Sequence, residues 1–115
     1  MKGLDRAALV QVAEYFQSLA DPTRLGLLNA LRKGEMTVGK LADQSESPPP
    51  NVSKHLSMLA KAGFVQRRAQ GTSIYYSVAD PDIYALCGLV CGRIVRRLSA
   101  HAATNAIIRK ASKRG

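Results

Sequence analysis

Apolar residues recur at three- and four-residue intervals through the first half of the chain, which predicts a series of amphipathic helices. The predicted helices are residues 5–19, a second from Asp21-Pro22 to Lys33-Gly34, residues 38–44, and a fourth from Pro50 to Gly63. Their predicted core residues are Leu9, Val12, Phe16 and Leu19, then Leu25, Leu28 and Leu31, then Val38 and Leu41, and last Val52, Leu56 and Leu59. Asp21 and Thr37 are suitable N-caps, and Pro22 suits a first helical position, where no intrahelical N–H is required.

Alternating β-branched and aromatic residues replace the helical spacing after Gly63. Residues 64–69 and 73–78 are predicted strands of a hairpin, with glycine at its tip. A new cap, Asp80-Pro81, predicts a final helix at 81–108, whose apolar stripe is Ile83, Leu86, Val90, Ile94 and Leu98. The pattern therefore predicts one domain, residues 1–115, mainly α with a two-stranded β-hairpin.

Two short helices followed by a hairpin are typical of a winged helix-turn-helix domain. The helix-turn-helix would span residues 37–62 and the wing residues 64–79. In such domains the second helix enters the major groove of DNA with its N-terminal residues at the base edges. This element order therefore predicts a DNA-binding protein.

Three consecutive prolines, Pro48 to Pro50, precede the predicted recognition helix and restrict the chain where it would meet DNA. Ser47 is predicted to cap this helix. The regular helix is predicted to start at Pro50, because a residue before proline avoids the helical region. Exposed N–H groups and the positive dipole at this end are expected to favour a phosphate.

The candidate DNA contacts lie on this helix and on the wing. Asn51, Lys54 and His55 are expected to project away from the core, where Asn can recognise adenine and Lys can donate to guanine or phosphate. Arg67 and Arg68 stand beside the hairpin and are expected to hold the DNA backbone. The hairpin tip, residues Gln70, Gly71 and Thr72, is expected to reach the adjacent groove.

The charge of the chain agrees with a polyanionic partner, either nucleic acid or an anionic membrane. Seventeen Lys and Arg residues against eight Asp and Glu leave a formal net charge of +9. No acid follows Asp82, while seven cations do: Arg93, Arg96, Arg97, Arg109, Lys110, Lys113 and Arg114. A solubilising surface with a basic tail at 109–115 is the alternative explanation of this excess.

Other features of the sequence limit the location and class of the protein. The apolar runs are short for a membrane span, and the first residues do not resemble a secretion signal. A cytoplasmic protein with reduced cysteines is therefore expected. Nucleophile motifs, paired acids and phosphate-binding glycine loops are absent from the sequence, so an enzyme is not expected. A non-specific DNA-binding protein and a protein-interaction module remain as alternatives.

Two segments resemble the ArsR/SmtB family of bacterial transcriptional repressors: LADPTRLGLLNALRKGEMTVGKLA, and NVSKHLSMLAKAGFVQRRAQGTSIYYSV. The resemblance covers about residues 19–82. It implies a homodimer through the first and last helices, 5–19 and 81–108, bound to an inverted-repeat operator in double-stranded DNA. It also implies release of the DNA when an inducer is sensed, and no required cofactor. Carried over by position, the recognition residues are Ser47, Asn51, Ser53, Lys54 and His55.

The metal sites implied by the resemblance do not match this sequence. Thr37-Val38-Gly39 stands where metalloid-sensing members carry Cys-Val-Cys. Asp82 matches the zinc-type site, but Tyr84, Val95 and Leu98 stand at its other ligand positions. Both of these sites are therefore expected to be absent.

The remaining candidate sensor is the pair Cys87 and Cys91 in Cys-Gly-Leu-Val-Cys-Gly. Four residues apart on one helix, their β-carbons would lie roughly 6 Å apart. A polysulfur bridge, a two-coordinate soft metal, or thiols from both subunits holding a metalloid would fit this pair. Alternatively, both cysteines simply pack as small apolar residues. The glycine after each cysteine costs a helix roughly 1 kcal/mol relative to alanine. Either close helix packing or access to the sulfurs would explain why glycine is present at these positions.

Overall fold

The computed structural model describes residues 3–114, with side chains from 3 to 105. Its elements are α1 (Arg6–Leu19), α2 (Pro22–Leu31), β1 (Met36–Thr37), α3 (Val38–Ser45), α4 (Pro49–Lys61), β2 (Val65–Gln70), β3 (Ser73–Val78) and α5 (Asp82–Arg114). They form two compact units, residues 1–80 and residues 81–115. The first unit contains every element up to β3, and the second contains α5.

Side-chain caps begin the first three helices: the predicted Asp21 and Thr37 in α2 and α3, and Asp5 in α1. Asp5 accepts a hydrogen bond from the backbone N–H of Ala8 at 2.9 Å, and this fixes the start of α1. Asp21 accepts from the N–H of Arg24 at 3.0 Å, with Pro22 in the first turn of α2. Thr37 accepts from the N–H of residue 40 at 3.2 Å and begins α3. These caps satisfy N–H groups that the helices themselves leave unpaired.

The core of the first unit is a cluster of leucines and valines between α2, α3, α4 and the sheet. Its buried apolar residues are Leu19, Leu27, Leu28, Leu31, Met36, Leu41, Ala42, Val52, Leu56, Leu59, Phe64, Val65 and Tyr76. The prediction that Leu25 belongs to this core is wrong, since its side chain is 41% exposed. Arg24 occupies the buried position on that turn of α2 instead.

The hairpin is confirmed, and it carries a third, short strand. The antiparallel sheet has the order β1-β3-β2, with Arg68 opposite Tyr75 and Met36 opposite Tyr76. Gly71 lies at the tip with a φ of 60°, a left-handed conformation that glycine adopts without strain. The two-residue strand β1 was missed because so short a segment carries no periodicity.

The remaining differences concern the helices. Helix α4 begins at Pro49, one residue earlier than predicted, with Pro48 as its N-cap and no side-chain cap. The hydroxyl of Ser47 donates instead to the carbonyl of Ser45 at 3.4 Å, so Ser47 is not the cap. Of the α1 residues expected in the core, Leu19 is buried, whereas Leu9, Val12 and Phe16 are partly exposed, Phe16 at 51%.

Helix α5 is longer than the predicted 81–108, since it runs from Asp82 to Arg114. The side chains of the predicted basic tail, 109–115, lie outside the described residues. Apolar side chains on α5 are largely exposed in the single chain: Leu89, Val90, Ile94, Val95 and Leu98 are between 50% and 67% exposed. Within the described residues, none of the helices has the combination of length and apolarity needed to cross a membrane.

Candidate nucleic-acid interface

Helices α3 and α4 form a helix-turn-helix whose second helix is firmly anchored. The turn between them includes Glu46 in a left-handed conformation, with a φ of 55°. Three side chains of α4, Val52, Leu56 and Leu59, have no exposed surface. Because residues at this spacing line one side of a helix, the opposite side of α4 is directed to solvent.

The solvent side of α4 carries most of the predicted base-contacting residues. Asn51 and Lys54 are both exposed and lie three residues apart, so they are neighbours on one face. Ser53 and Ser47 are half-buried at the margin of this face. The structure therefore brings Asn51 and Lys54 together on an accessible surface near the start of the helix.

The N-terminus of α4 differs from the phosphate-binding end that was expected. Pro48, Pro49 and Pro50 have no backbone N–H, and they occupy the N-cap and the first turn. The next two N–H groups, from Asn51 and Val52, both donate to the carbonyl of Pro48, at 3.0 and 3.1 Å. No N–H donor in this turn is left for a phosphate, so the expectation of a backbone phosphate site is wrong.

His55 does not project to solvent with Asn51 and Lys54, and this part of the expectation is also wrong. Its side chain is only 15% exposed, and its Nδ1 lies 3.9 Å from an Asp21 carboxylate oxygen. The Nη1 of Arg24 lies 3.3 Å from the same ring nitrogen. A guanidinium only donates, so a hydrogen bond between these two groups has Nδ1 as the acceptor. His55 therefore links α4 to the start of α2.

Arg24 connects three helices through one buried guanidinium. Its Nε donates to the carbonyl of Ser18 at 2.7 Å and its Nη2 to the carbonyl of Gln17 at 3.2 Å, both in the last turn of α1. Its Nη1 also approaches the sulfur of Met58 in α4 at 3.5 Å. The sequence analysis did not predict a role for Arg24. Its position one helical turn before the core residues Leu27 and Leu28 could have indicated that it lies on the buried side of α2.

The two predicted arginines of the wing have different surroundings. Arg67 is exposed. Arg68 donates to both carboxylate oxygens of Glu35, at 2.9 and 2.6 Å, and its guanidinium lies 4.8 Å from the centre of the Tyr75 ring. It also donates to the side chain of Gln70 at 2.6 Å. Arg68 therefore ties β2 across β3 to the residue before β1.

The ion pair between Arg68 and Glu35 shifts the pKa of both side chains. The hydrogen bond from Arg68 holds the pKa of Glu35 below its ordinary value, and the same bond raises the pKa of Arg68. The pKa of Asp21 is also lowered, chiefly by the hydrogen bond from the backbone N–H of Arg24. Glu35 and Tyr75 were not predicted as part of the wing, although the hairpin register alone places Tyr75 opposite Arg68.

The candidate sensor cysteines lie in the second unit, on α5. Cys87 is half-buried, Cys91 is exposed, and both are free thiols. Among the described residues, a Cβ added at Gly88 would meet nothing within 4 Å, and one at Gly92 would meet only the end of the Arg96 side chain at 3.7 Å. The single chain thus gives no packing reason for either glycine.

The cysteines do not belong to a larger set of metal ligands in the described part of the chain. No group of three or more His, Cys, Asp or Glu residues there could hold a metal ion. Any thiolate site for an ion that prefers three ligands would therefore need more than one subunit.

The fold and this surface define a winged helix-turn-helix DNA-binding protein. Residues 21–67 match the family model described as bacterial regulatory protein, arsR family. An uncharacterised HTH-type transcriptional regulator of Methanocaldococcus jannaschii is 40% identical over 81 residues, which are 70% of this chain and 91% of that protein. The chain belongs to the ArsR family of transcriptional regulators, and the resemblance seen in its sequence is confirmed.

Two further relatives bear on function. A probable mercury resistance operon repressor of Streptomyces lividans is 42% identical over 71 residues, covering 62% of this chain and 57% of that protein. The solution structure of a homodimeric winged helix-turn-helix DNA-binding domain from Mycobacterium bovis, described as a possible ArsR-family regulator, superposes with a TM-score of 0.73. It is 32% identical and covers 87% of this chain and 95% of that chain.

Proposed function

We propose that this protein is a cytoplasmic transcriptional repressor that binds an inverted-repeat operator as a homodimer. The observation that carries the proposal is the polar face of α4, where exposed Asn51 and Lys54 stand opposite a fully buried side. Exposed Arg67 and the hairpin tip, residues 70–72, extend this surface along the wing. A net charge of +9 favours the DNA partner over a purely protein one.

Dimerisation in the proposal uses α1 and α5. The exposed apolar side chains of α5 are supporting evidence, because apolar clusters of this kind are typical of protein interfaces. The homodimeric M. bovis domain supports a homodimer. A two-fold dimer would place two α4 helices in successive major grooves, about 34 Å apart.

The DNA-binding surface is tested by comparing two lysines of the same helix. Lys54→Ala removes a cation from the proposed surface, and Lys61→Ala removes one from the far end of α4. We expect Lys54→Ala to weaken binding to the protein's own upstream DNA and to lower the salt slope by about 0.9 per subunit. Lys61→Ala should leave both nearly unchanged.

Fluorescence anisotropy over a series of salt concentrations measures both quantities. Random duplex of equal length serves as the reference for each protein. Equal affinity of the wild type for random and upstream DNA would identify a non-specific binder instead. If the two lysine substitutions had equal effects, the N-terminal half of α4 would not be the DNA-binding surface.

For the signal, we propose that Cys87 and Cys91 respond to a thiol-reactive inducer: reactive sulfur, an oxidant, a metalloid or a soft metal. The exposure of Cys91 gives such a reagent access, and the neighbouring residues Gly88 and Gly92 add no side chain there. The mercury resistance repressor supports the choice of a soft, thiol-binding signal. The inducer would bind as a signal, and a resident cofactor is not required.

Serine substitution tests the sensor without changing the shape of α5. We expect Cys87→Ser/Cys91→Ser to bind upstream DNA like the wild type, and to remain bound when arsenite, mercuric ion or polysulfide releases the wild type. Anisotropy of preformed complexes measures the release. Release of the double variant by the same reagents would place the signal elsewhere and leave the cysteines a packing role.

A further inference from the structure

The first turn of α4 presents hydrocarbon where a recognition helix ordinarily presents hydrogen-bond donors. Pro48, Pro49 and Pro50 are all exposed, so their rings face solvent. The carbonyl of Pro48 takes the N–H groups of both Asn51 and Val52. A groove partner therefore meets proline methylenes at this end of the helix.

The Pro50 ring lies on the same side of α4 as the polar residues of the proposed DNA surface. Pro50 precedes Lys54 by one helical turn and is adjacent to Asn51, and all three are exposed. The buried side, at Val52, Leu56 and Leu59, faces the core. A base edge placed near Asn51 and Lys54 would therefore lie beside Pro50 as well.

We propose that Pro50 is a specificity-determining residue that selects a thymine C5-methyl group in each operator half-site. This inference rests on the proposed function. In unmodified DNA the thymine methyl is the apolar group that the major groove displays, so it is the base feature that a proline ring can recognise. The fixed φ of proline holds the rings in place, which reduces the entropy lost on contact.

Removal of single methyl groups tests the inference directly. A duplex is first selected from a random pool with the wild-type protein, and each thymine is then replaced by deoxyuridine, one position at a time. We expect one position per half-site at which loss of the methyl weakens wild-type binding about fourfold. Hydrogen-bonding groups of the base pair are the same in both duplexes, so the ratio of affinities reports the methyl alone.

The matched variants change prolines to alanine at equivalent helical positions. Pro49→Ala/Pro50→Ala removes the rings from α4 but retains Pro48 and its carbonyl, and alanine preserves the helix. Pro22→Ala makes the same change at the start of α2. N–H groups restored at positions 49 and 50 would affect both duplexes equally, so the ratio within each protein is the readout. We expect the ratio to fall to about one in the α4 variant, with Pro22→Ala still near the wild-type value of about four.

Each outcome decides one question. An equal methyl penalty in wild type and the α4 variant, or no penalty at any position, overturns the inference while leaving DNA binding intact. Replacing selected cytosines by 5-methylcytosine separates the two sources of such a methyl: gain there, without loss at thymine, overturns the assignment to thymine. Failure to select any preferred duplex would instead refute the proposed function.

Discussion

The two adjacent arginines of the wing, Arg67 and Arg68, have different surroundings because they lie on one strand. Neighbouring residues of a strand point to opposite faces, so Arg67 and Arg68 cannot share an environment. Both arginines are exposed, but the Arg68 guanidinium lies over Tyr75 and is paired with Glu35, whereas Arg67 lies on the other face of the strand. The exposed Arg67 is therefore the better candidate for a DNA backbone contact.

The ion pair between Glu35 and Arg68 should be detectable in the acid sensitivity of folding. Because the folded-state pKa of Glu35 is lowered, its stabilising effect is complete above the ordinary value of 4.5 and is lost as the pH falls below it. We expect Glu35→Gln and Arg68→Gln each to show a smaller drop in urea midpoint than the wild type between pH 6 and pH 3. A midpoint drop equal to that of the wild type in both variants would contradict this assignment.

Acid sensitivity should not disappear from these variants. Asp21 also has a lowered pKa, so its contribution is lost in the same direction, below an ordinary value of 3.8. The difference between wild type and variant is therefore the quantity that reports on Glu35.

At the scale of elements, the recognition helix is held by more than its apolar side. Arg24 bonds two carbonyls at the end of α1 and approaches His55 and Met58 on α4. A buried guanidinium with several acceptors is a directional link, unlike leucine packing. It fixes the position of α4 relative to α1, the helix proposed to form the dimer.

Loss of this link should cost more than loss of a surface arginine. Arg24→Ala removes the guanidinium donor from the carbonyls of Gln17 and Ser18, although the Gln17 carbonyl keeps the N–H of Ala20. We expect a loss of about 1–3 kcal/mol in the free energy of unfolding. Arg6→Ala, on the exposed first turn of α1, should change it by at most about 0.5 kcal/mol. Urea unfolding measures both, and similar values for the two variants would show that the Arg24 network adds little stability.

At the scale of the whole molecule, the chain combines a basic surface with a long helix whose apolar side chains are exposed. Leu89 and Leu98 are 67% and 64% exposed on α5, far more than the core leucines of the first unit. Exposed apolar area of this extent favours association, and the proposed homodimer would cover it. The two DNA-binding surfaces of the dimer would then contact both half-sites at once, so the dimer would bind the operator more tightly than one subunit does.

A charge placed in that interface should separate the subunits. We expect Leu98→Glu to shift the protein from dimer to monomer and to weaken operator binding by about 100-fold, since one half-site contact is then lost. Analytical ultracentrifugation and anisotropy measure the two effects. Ala100→Glu adds the same charge at an exposed position outside the predicted stripe and should remain dimeric; a dimeric Leu98→Glu would exclude this face.

The sequence by itself determined the elements whose causes are local. Helical spacing, the caps at Asp21 and Thr37, and Gly71 at the tip of the hairpin placed the elements almost where the structure has them. Their residues interact within a few positions, so the pattern along the chain contains the information. The sequence also shows that the three prolines have no backbone N–H groups. The expectation of a backbone phosphate site did not take this into account.

Tertiary structure decided the partners of residues far apart in the chain. His55 meets Arg24 across 31 residues, and Arg68 meets Glu35 across 33. From the sequence, His55 and Arg68 were expected to be available to DNA, since their helix and strand each have a polar side. Which polar residue lies against another element depends on how the helices and strands pack, and local periodicity does not record it.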